Sequence, residues 1–304
     1  MKRRYFIIKS TQASAALSLM ALTTAFTQKD LFFKISLAEW SLHRSLFSKQ
    51  IDHLDFASIA QKSNCTGLEY VNSFFLDKAK NIPYLNKMNS RADAEGVENV
   101  LIMIDREGFI ADKNKNKRLQ TIENHYKWID AAHHLGCHAI RVNLKGTGSK
   151  KEVAKAGIES LIKLSEYAKG SNINILVENH GGLSSNGAWM QEVFTKIPNS
   201  NCGTLPDFGN FCIKQNQERK CIEAYDPYKG MQELLPFAKA ISAKSKVFNT
   251  NADESHIDYY KILKMIKNSG YTGYIGIEYE GTQFEEQKGI ELTRNLLIKA
   301  GKLA

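Results

Sequence analysis

Short apolar runs alternate with longer stretches of helical spacing from about residue 34 to the end of the chain. The apolar runs are nearly continuous, which is typical of strands that are buried on both faces. Strands are predicted at residues 34–40, 66–71, 97–104, 138–143, 173–178, 203–207, 240–244 and 274–278. Helices are predicted at residues 51–62, 76–94, 118–135, 150–169, 187–195, 227–238, 255–268 and 285–303.

This regular alternation predicts parallel strands that are joined by crossover helices. The count of eight strands favours a closed (β/α)8 TIM barrel over an open sheet. The chain has 304 residues, and α/β barrels of this length are routinely one domain. We therefore expect an α/β fold with a single TIM barrel domain over residues 29–304.

The first 28 residues have the composition of an export signal. The pair Arg3 and Arg4 precedes a mildly apolar run at 13–22, and the first acidic residue is Asp30. The paired arginines resemble a twin-arginine motif, which predicts export to the periplasm. A Sec-type signal or an uncleaved anchor is the alternative. No later run reaches the ~18 apolar residues needed to cross a membrane.

Composition and charge are those of an ordinary globular protein, with 43% hydrophobic residues and a net charge of +9. Four positive charges lie in residues 1–28, so the remainder carries about +5. This excess is spread along predicted helices, which is weak evidence for a nucleic-acid partner. The five cysteines form no CxxC motif, so we expect at most one disulfide and several small buried cysteines.

Polar residues stand at the carboxyl end of nearly every predicted strand. In a TIM barrel these positions surround the mouth of the active site. The residues are Glu39, Trp40, Glu69, Asp105, Arg141, Asn143, Glu178, Asn179, His180, Asp207, Ser242, Lys244, Glu278 and Glu280. A single polar strand end would be unremarkable, but this series predicts a polar pocket.

Glu178, Asp207 and Glu278 are the central residues of that pocket. Three converging carboxylates repel one another unless a cation lies between them. Oxygen ligands with few imidazoles favour Mn²⁺, Mg²⁺ or Co²⁺, with Zn²⁺ as the alternative. The competing interpretation is three separate acids that form salt bridges or caps, with Asp207 capping the turn Asp-Phe-Gly-Asn.

The chain resembles the xylose-isomerase-like barrel superfamily, in the branch of sugar phosphate isomerases and epimerases. The matching stretches are 176–182 (Leu-Val-Glu-Asn-His-Gly-Gly), 205–210 (Leu-Pro-Asp-Phe-Gly-Asn), 243–245 (Ala-Lys-Ser) and 273–281 (Gly-Tyr-Ile-Gly-Ile-Glu-Tyr-Glu-Gly). The resemblance extends from about Lys34 to the C-terminus. It implies that Glu178, Asp207 and Glu278 bind one divalent metal, and that both glutamates move protons.

One position departs from the family pattern. The usual fourth ligand is a histidine two residues before a lysine, where this chain has Ser242 before Lys244. Either three carboxylates and water hold the metal, or His180 is a tentative replacement ligand. The alternative for His180 is a hydrogen bond to the substrate or a supporting role behind the ligands.

The predicted activity is that of a metal-dependent sugar isomerase or epimerase, which abstracts a proton next to a carbonyl. The nearest alternative is a lyase that eliminates the aglycone from a 3-keto-glycoside. A non-catalytic sugar-binding barrel is the alternative from another class. A DNA-repair endonuclease shares this fold but needs several zinc ions with many histidines.

Six residues are candidates for substrate binding. They are Lys244, Arg141, His180, Trp189, Trp40 and His43. The two tryptophans could instead be rim or core aromatics, and the two cations could instead pair with neighbouring acids. The expected partner is a small carbohydrate and not a nucleic acid, and a homo-oligomer is left open.

Overall fold

Eight parallel strands form the central sheet of the protein, whose computed structural model describes residues 31–304. In chain order the strands of these residues are β1 (Lys34–Ala38), β2 (Gly67–Val71), β3 (Glu98–Met103), β4 (Ala139–Val142), β5 (Asn174–Glu178), β6 (Cys202–Leu205), β7 (Cys212–Gln215), β8 (Cys221–Ala224), β9 (Ile241–Ser245) and β10 (Tyr274–Tyr279). All except β7 and β8 belong to the central sheet. Each of the eight predicted strands is present, and its bounds differ from the prediction by two residues at most.

The central sheet closes on itself. Its strand order is β6-β5-β4-β3-β2-β1-β10-β9, and a parallel bridge between Asp207 and Ser242 joins the two outer strands of this order. The N–H of Phe208 donates to the carbonyl of Ser242 at 3.0 Å, and the N–H of Ser242 donates to the carbonyl of Pro206 at 2.9 Å. The predicted (β/α)8 barrel is therefore confirmed, and residues Phe32–Ala304 form one compact unit.

Helices connect successive strands on the outside of the barrel. They are α1 (His43–Phe47), α2 (Phe56–Lys62), α3 (Ile82–Glu95), α4 (Lys115–Leu135), α5 (Lys150–Lys169), α6 (Gly187–Phe194), α7 (Pro227–Leu234), α8 (Tyr259–Asn268) and α9 (Glu286–Leu303). A capping box of Ser149 and Glu152 begins α5. The helix predicted from residue 76 begins only at Ile82, because Asn81 caps it and Pro83 occupies its first turn.

The amino-terminal part of the barrel interior is apolar. Leu176 of β5 and Leu205 of β6 belong to one buried cluster with Leu101 of β3 and Ala139 of β4. Side chains alternate along a strand, so Leu176 shares its face with Glu178 two residues later. The interior therefore changes from apolar to charged toward the carboxyl ends of the strands, where the mouth lies.

An antiparallel hairpin of β7 and β8 is inserted after β6, and the sequence analysis did not predict it. A disulfide between Cys212 and Cys221 links its two strands. The other three cysteines, Cys65, Cys137 and Cys202, are free and buried, as expected for small core residues. The hairpin follows the strand that leads to Asp207 and so lies on the face of the barrel that carries the mouth.

The predicted export signal at residues 1–28 lies outside the described residues. Among residues 31–304, no helix is both long enough and apolar enough to cross a membrane.

Candidate active site

Strand register places charged side chains side by side at the mouth. Glu278 of β10 is the register partner of Lys244 of β9, and Gly276 is the partner of Ser242. Register partners in neighbouring parallel strands project to the same face of the sheet. Arg141 of β4 is the partner of Leu176, two residues before Glu178. The barrel thus directs Glu278, Lys244 and Arg141 toward one interior space.

Glu178, Asp207 and Glu278 form one buried group. A carboxylate oxygen from each lies within 4.8 Å of the others. The three residues are 1%, 0% and 4% exposed, respectively. The structure therefore brings together the three acids that the sequence selected, from β5, from the segment after β6 and from β10.

Two cationic or amide side chains hold the carboxylate of Glu178. The Nδ2 of Asn210 donates to Oε1 at 2.9 Å. The Nε of Arg141 lies 3.0 Å from Oε2, and its Nη1 donates to Oδ1 of Asp105 at 2.9 Å. The Arg141–Glu178 pair lacks the angles of a hydrogen bond, so Oε2 is buried without a donor. A buried oxygen in this state is available to a ligand.

The two oxygens of Asp207 have different tasks. Oδ1 accepts the backbone N–H groups of Gly209 and Asn210, both at 2.8 Å, which is the capping of the Asp-Phe-Gly-Asn turn. Oδ2 faces the site and accepts the hydroxyl of Ser242 at 2.6 Å. The capping interpretation and the site interpretation of this residue are therefore compatible, with one oxygen for each.

Glu278 is bound by Lys244 and Ser242. The Nζ of Lys244 donates to Oε1 at 2.6 Å. The Oγ of Ser242 lies 2.9 Å from Oε2 of Glu278 and 2.6 Å from Oδ2 of Asp207. A hydroxyl donates only one proton at a time, so one of these two oxygen pairs needs another proton or a cation.

The local charge balance suits a divalent cation. With all groups ionised, five carboxylates meet three cations, which leaves two negative charges. The acids are Glu178, Asp207, Glu278, Asp105 and Glu280, and the cations are Arg141, Lys244 and Lys246. Together with the donor-free Oε2 of Glu178, this excess makes the three grouped carboxylates a suitable ligand set for Mn²⁺, Mg²⁺ or Zn²⁺.

Burial makes Glu178 and Asp207 hard to ionise. Burial, together with the charge of Glu278, raises the pKa of Glu178 to about 7 against the opposing effect of Arg141. Burial likewise raises the pKa of Asp207 to about 7, against the effect of Lys244. Each shift reflects the free-energy cost of ionising a carboxyl group that is removed from water and only partly compensated by nearby positive charge.

His180 and Lys244 have fixed protonation states at neutral pH. Burial lowers the pKa of His180 to about 4, and the charges of Arg141 and Lys244 add to this effect. Burial opposes the charge of Lys244, but Glu278 and Asp207 raise its pKa well above the usual value. His180 is thus a neutral imidazole, and Lys244 is a permanent ammonium that can stabilise negative charge but cannot accept a proton.

His180 lies outside the group of three acids. Its Nδ1 is buried and has no hydrogen-bond partner among residues 31–304. The tentative assignment of His180 as a fourth metal ligand therefore gains no support from the grouping. A free ring nitrogen at the mouth is compatible with the alternative, a hydrogen bond to the substrate.

Trp40 and His43 lie beside the site. The ring of His43 stacks on Trp40 with centroids 4.9 Å apart, and Phe47 and Phe74 complete an aromatic group around them. The Nε1 of Trp40 donates to Glu280 at 3.0 Å, and Lys244 lies 3.4 Å from the same carboxylate. Trp40 is therefore connected to Glu278 by three polar contacts, through Glu280 and Lys244.

Trp189 has a different environment. It is 8% exposed, lies on α6, and its Nε1 donates to the carbonyl of Lys150 at the start of α5. This is the packing of a core aromatic between helices. The prediction that Trp189 stacks on a sugar gains no support from its position.

Asn210 is a residue of the site that the sequence analysis did not select. Its side chain binds Glu178, and its N–H binds Asp207. Asn179 clamps the backbone of Asp207 from both sides, at 2.9 Å and 2.7 Å. Asn179, already named as a polar strand end, adjoins Glu178, and Asn210 ends the Asp-Phe-Gly-Asn turn that begins at Asp207, which is a signal that could have identified it.

Glu39 is a polar strand end that serves another purpose. Its Oε1 lies 2.6 Å from Nδ1 of His53, and its Oε2 accepts the N–H of Val71 at 2.8 Å. These contacts join the residue after β1 to the segment before α2 and to the last residue of β2. Not every polar strand end therefore belongs to the mouth.

Solved structures with the same fold include sugar epimerases. The 3-keto-D-glucoside 4-epimerase YcjR from E. coli, in its apo form, is 12% identical with a TM-score of 0.65, covering 87% of this chain and 98% of its own. D-psicose 3-epimerase from Clostridium cellulolyticum H10, with D-tagatose, is 11% identical with a TM-score of 0.65, covering 88% and 96%. The IolI protein, with a bound zinc atom, is 12% identical with a TM-score of 0.68, covering 89% and 98%.

Sequence comparison defines the family. No curated protein matches the chain. The family model of the xylose isomerase-like TIM barrel matches residues 57–299, which include all three grouped acids. The chain belongs to the xylose isomerase-like TIM barrel family.

Proposed function

We propose that the protein is a divalent-metal-dependent sugar isomerase or epimerase. The observation that carries this proposal is the buried group of Glu178, Asp207 and Glu278, which contains two glutamates from separate strands. A binding protein for sugars has no need of three buried acids whose carboxylate oxygens lie within 4.8 Å of one another. The sugar epimerases among the similar structures agree with this assignment.

The three acids would hold the metal through the oxygens that face one another. When bound, a divalent cation supplies Lewis acidity that favours loss of a proton next to a carbonyl. Arg141 fixes Glu178 from the side of β4, and Lys244 fixes Glu278 from the side of β9. Each glutamate is thus oriented by a cation of its own.

Proton transfer is assigned to Glu178 and Glu278. One glutamate removes the proton beside the carbonyl, and the other returns a proton to the opposite face or to the neighbouring carbon. The two residues come from β5 and β10, so they can approach a sugar from different directions. Lys244 remains an ammonium and stabilises the negative charge that develops on oxygen.

The aromatic group of Trp40, His43, Phe47 and Phe74 supports a carbohydrate substrate. Phe47 is 50% exposed although it is a large apolar side chain. Exposed aromatic faces beside a polar site are typical of sugar binding, because one face of a sugar ring is apolar.

Deuterium exchange tests the assignment. Metal-stripped protein would be loaded with Mn²⁺ and incubated in D₂O with a panel of keto-sugars and 3-keto-glycosides. We expect deuterium at the carbon beside the carbonyl. Glu178→Gln and Glu278→Gln should each lower the exchange rate about 10²–10⁴-fold, the usual contribution of a positioned acid or base.

Glu291→Gln is the matched control, because Glu291 is exposed on α9 and pairs with Lys288. Absence of exchange on every sugar, or full exchange in both glutamine variants, would overturn the proposal. The product then distinguishes the reactions: an epimer, an isomer, or a released aglycone if the same chemistry leads to elimination.

A further inference from the structure

A cavity of about 500 Å³ lies beside His180 on the mouth face of the barrel. The segments after β3, β4, β5 and β6 form its walls. The residues that define its character are Phe109, Leu144, Lys145, Leu183, Ile213 and Gln215. The volume falls within the range of ~300–1,000 Å³ that is usual for small-molecule pockets.

The cavity adjoins the acid group. His180 lines the cavity and follows Glu178 by two residues. Asn210, which donates to Glu178, precedes the cavity-lining Cys212 by two residues. The charges of Arg141, Lys244 and the cavity-lining Lys145 all act on His180. A ligand in the cavity and a sugar over the acids would therefore lie next to each other.

The walls suit an uncharged group with an apolar face. Among the described residues, Lys145 is the one charged side chain that lines the cavity. His180 also lines it but is neutral, and no acid does. Phe109 is 47% exposed, and Ile222 on the neighbouring β8 is 57% exposed. An exposed large apolar side chain in the wall of a cavity, as Phe109 is here, is typical of a binding groove.

We propose that this cavity binds the aglycone of a glycoside whose sugar ring lies over Glu178, Asp207 and Glu278. The proposal rests on the proposed function and extends it to a substrate of two parts. A free monosaccharide over the acids would leave the apolar walls at Phe109 and Ile213 without a partner. The hairpin that carries Ile213 thereby becomes a determinant of specificity.

A glycoside substrate has a chemical consequence. Its anomeric carbon is an acetal, so the carbonyl that acidifies the neighbouring C–H must lie at another ring carbon. The reaction that supplies this substrate must therefore be a dehydrogenation of a secondary ring hydroxyl. In that step a separate dehydrogenase transfers a hydride from the ring carbon to a nicotinamide or flavin cofactor and releases the hydroxyl proton to water.

Two probes of equal leaving-group chemistry test the cavity. They are the methyl and the 2-phenylethyl 3-keto-glucosides, in both anomeric forms, with the Mn²⁺-loaded protein. We expect kcat/KM for deuterium exchange to be about tenfold higher for a 2-phenylethyl glycoside, because its ring buries apolar surface. Phe109→Ala and Ile213→Ala should each reduce this preference to about threefold or less.

Tyr167→Ala is the control variant, since Tyr167 is 42% exposed on α5 and contacts Asp130 and Tyr126. It should keep the full preference. Equal kcat/KM for both probes in the wild type, or an unchanged preference in both cavity variants, would overturn the aglycone site.

Failure of the proposed function gives a different result, namely no exchange with either probe. Calorimetry of the same two probes then tests the aglycone site by asking whether the 2-phenylethyl glycoside binds about tenfold more tightly than the methyl glycoside. Tighter binding of the 2-phenylethyl glycoside that is lost in Phe109→Ala would support the aglycone site, and equal binding would overturn it.

Discussion

At the scale of single residues, Glu69 shows what a buried acid costs when no cation meets it. It lies within β2, is fully buried, and its Oε1 accepts the hydroxyl of Ser36 at 2.6 Å. Its Oε2 has no hydrogen-bond partner among the described residues. Gly276 on β10 makes room for it, because a Cβ there would lie 2.4 Å from Oε2.

We predict that Glu69 makes the stability of the fold fall with rising pH. Burial raises its pKa from 4.5 to about 8. The folded state therefore binds its proton more tightly, and the stability that it contributes is complete below pH 4.5 and lost as pH rises to about 8. Glu69→Gln stays neutral and should be more stable at pH 8, on the order of a few kcal/mol.

Urea unfolding of both proteins between pH 5 and 8 measures this difference. Glu98→Gln is the control, because Glu98 is an exposed acid on the neighbouring β3 that pairs with Lys34. An identical pH dependence in Glu69→Gln and the wild type would show that Glu69 is ionised in the folded protein.

At the scale of elements, the barrel strands were predictable and the hairpin was not. The barrel strands are continuous apolar runs that end in polar residues, which is a strong local signal. The strands β7 and β8 are mostly exposed, and Ile213 and Ile222 each stand between a cysteine and a charged residue. Without a buried face, only the disulfide and the pairing across it distinguish these segments from a loop.

The contacts within the site depend on the register between neighbouring strands, which the local sequence pattern does not determine. Ser242 was identified as the residue in the place of the usual histidine. Its position between Asp207 and Glu278 follows only once β9 is set against β10 and against the segment after β6. The acids can therefore be identified from the sequence, but their hydrogen-bond partners are defined only in the closed barrel.

We predict that the disulfide orders the hairpin and leaves the barrel unaffected. Closing a loop of this length restricts the open chain by about 2–3 kcal/mol. The double variant Cys212→Ser, Cys221→Ser should be cleaved by trypsin at Lys214, Arg219 or Lys220, where the disulfide-linked protein resists. The thermal midpoint of the barrel should change by a few degrees at most.

Mass spectrometry of the tryptic fragments and circular dichroism measure these two effects. Wild-type protein with reducing agent serves as a second route to the open hairpin. Equal cleavage rates in the linked and open forms would contradict the prediction.

At the scale of the whole molecule, the disulfide agrees with an exported protein. Disulfides persist in oxidising compartments such as the bacterial periplasm. We predict that Arg3 and Arg4 direct export of the folded chain through the twin-arginine route. Replacing both with lysine should retain the protein in the cytoplasm of a bacterial host.

Immunoblots of periplasmic and cytoplasmic fractions measure the distribution. Lys9→Arg is a control that alters the same segment and keeps the arginine pair. Unchanged export of the Arg3→Lys, Arg4→Lys protein would point to the Sec route instead.

The bridge between Asp207 and Ser242 is the seam along which the barrel closes. The same two residues also belong to the acid group, through the hydrogen bond between their side chains. Folding of the barrel and assembly of the site are therefore a single event, since Glu178, Asp207 and Glu278 meet only when this seam is closed. A ligand that binds both Asp207 and Glu278 spans this seam. It therefore stabilises the closed barrel as well as the acid group.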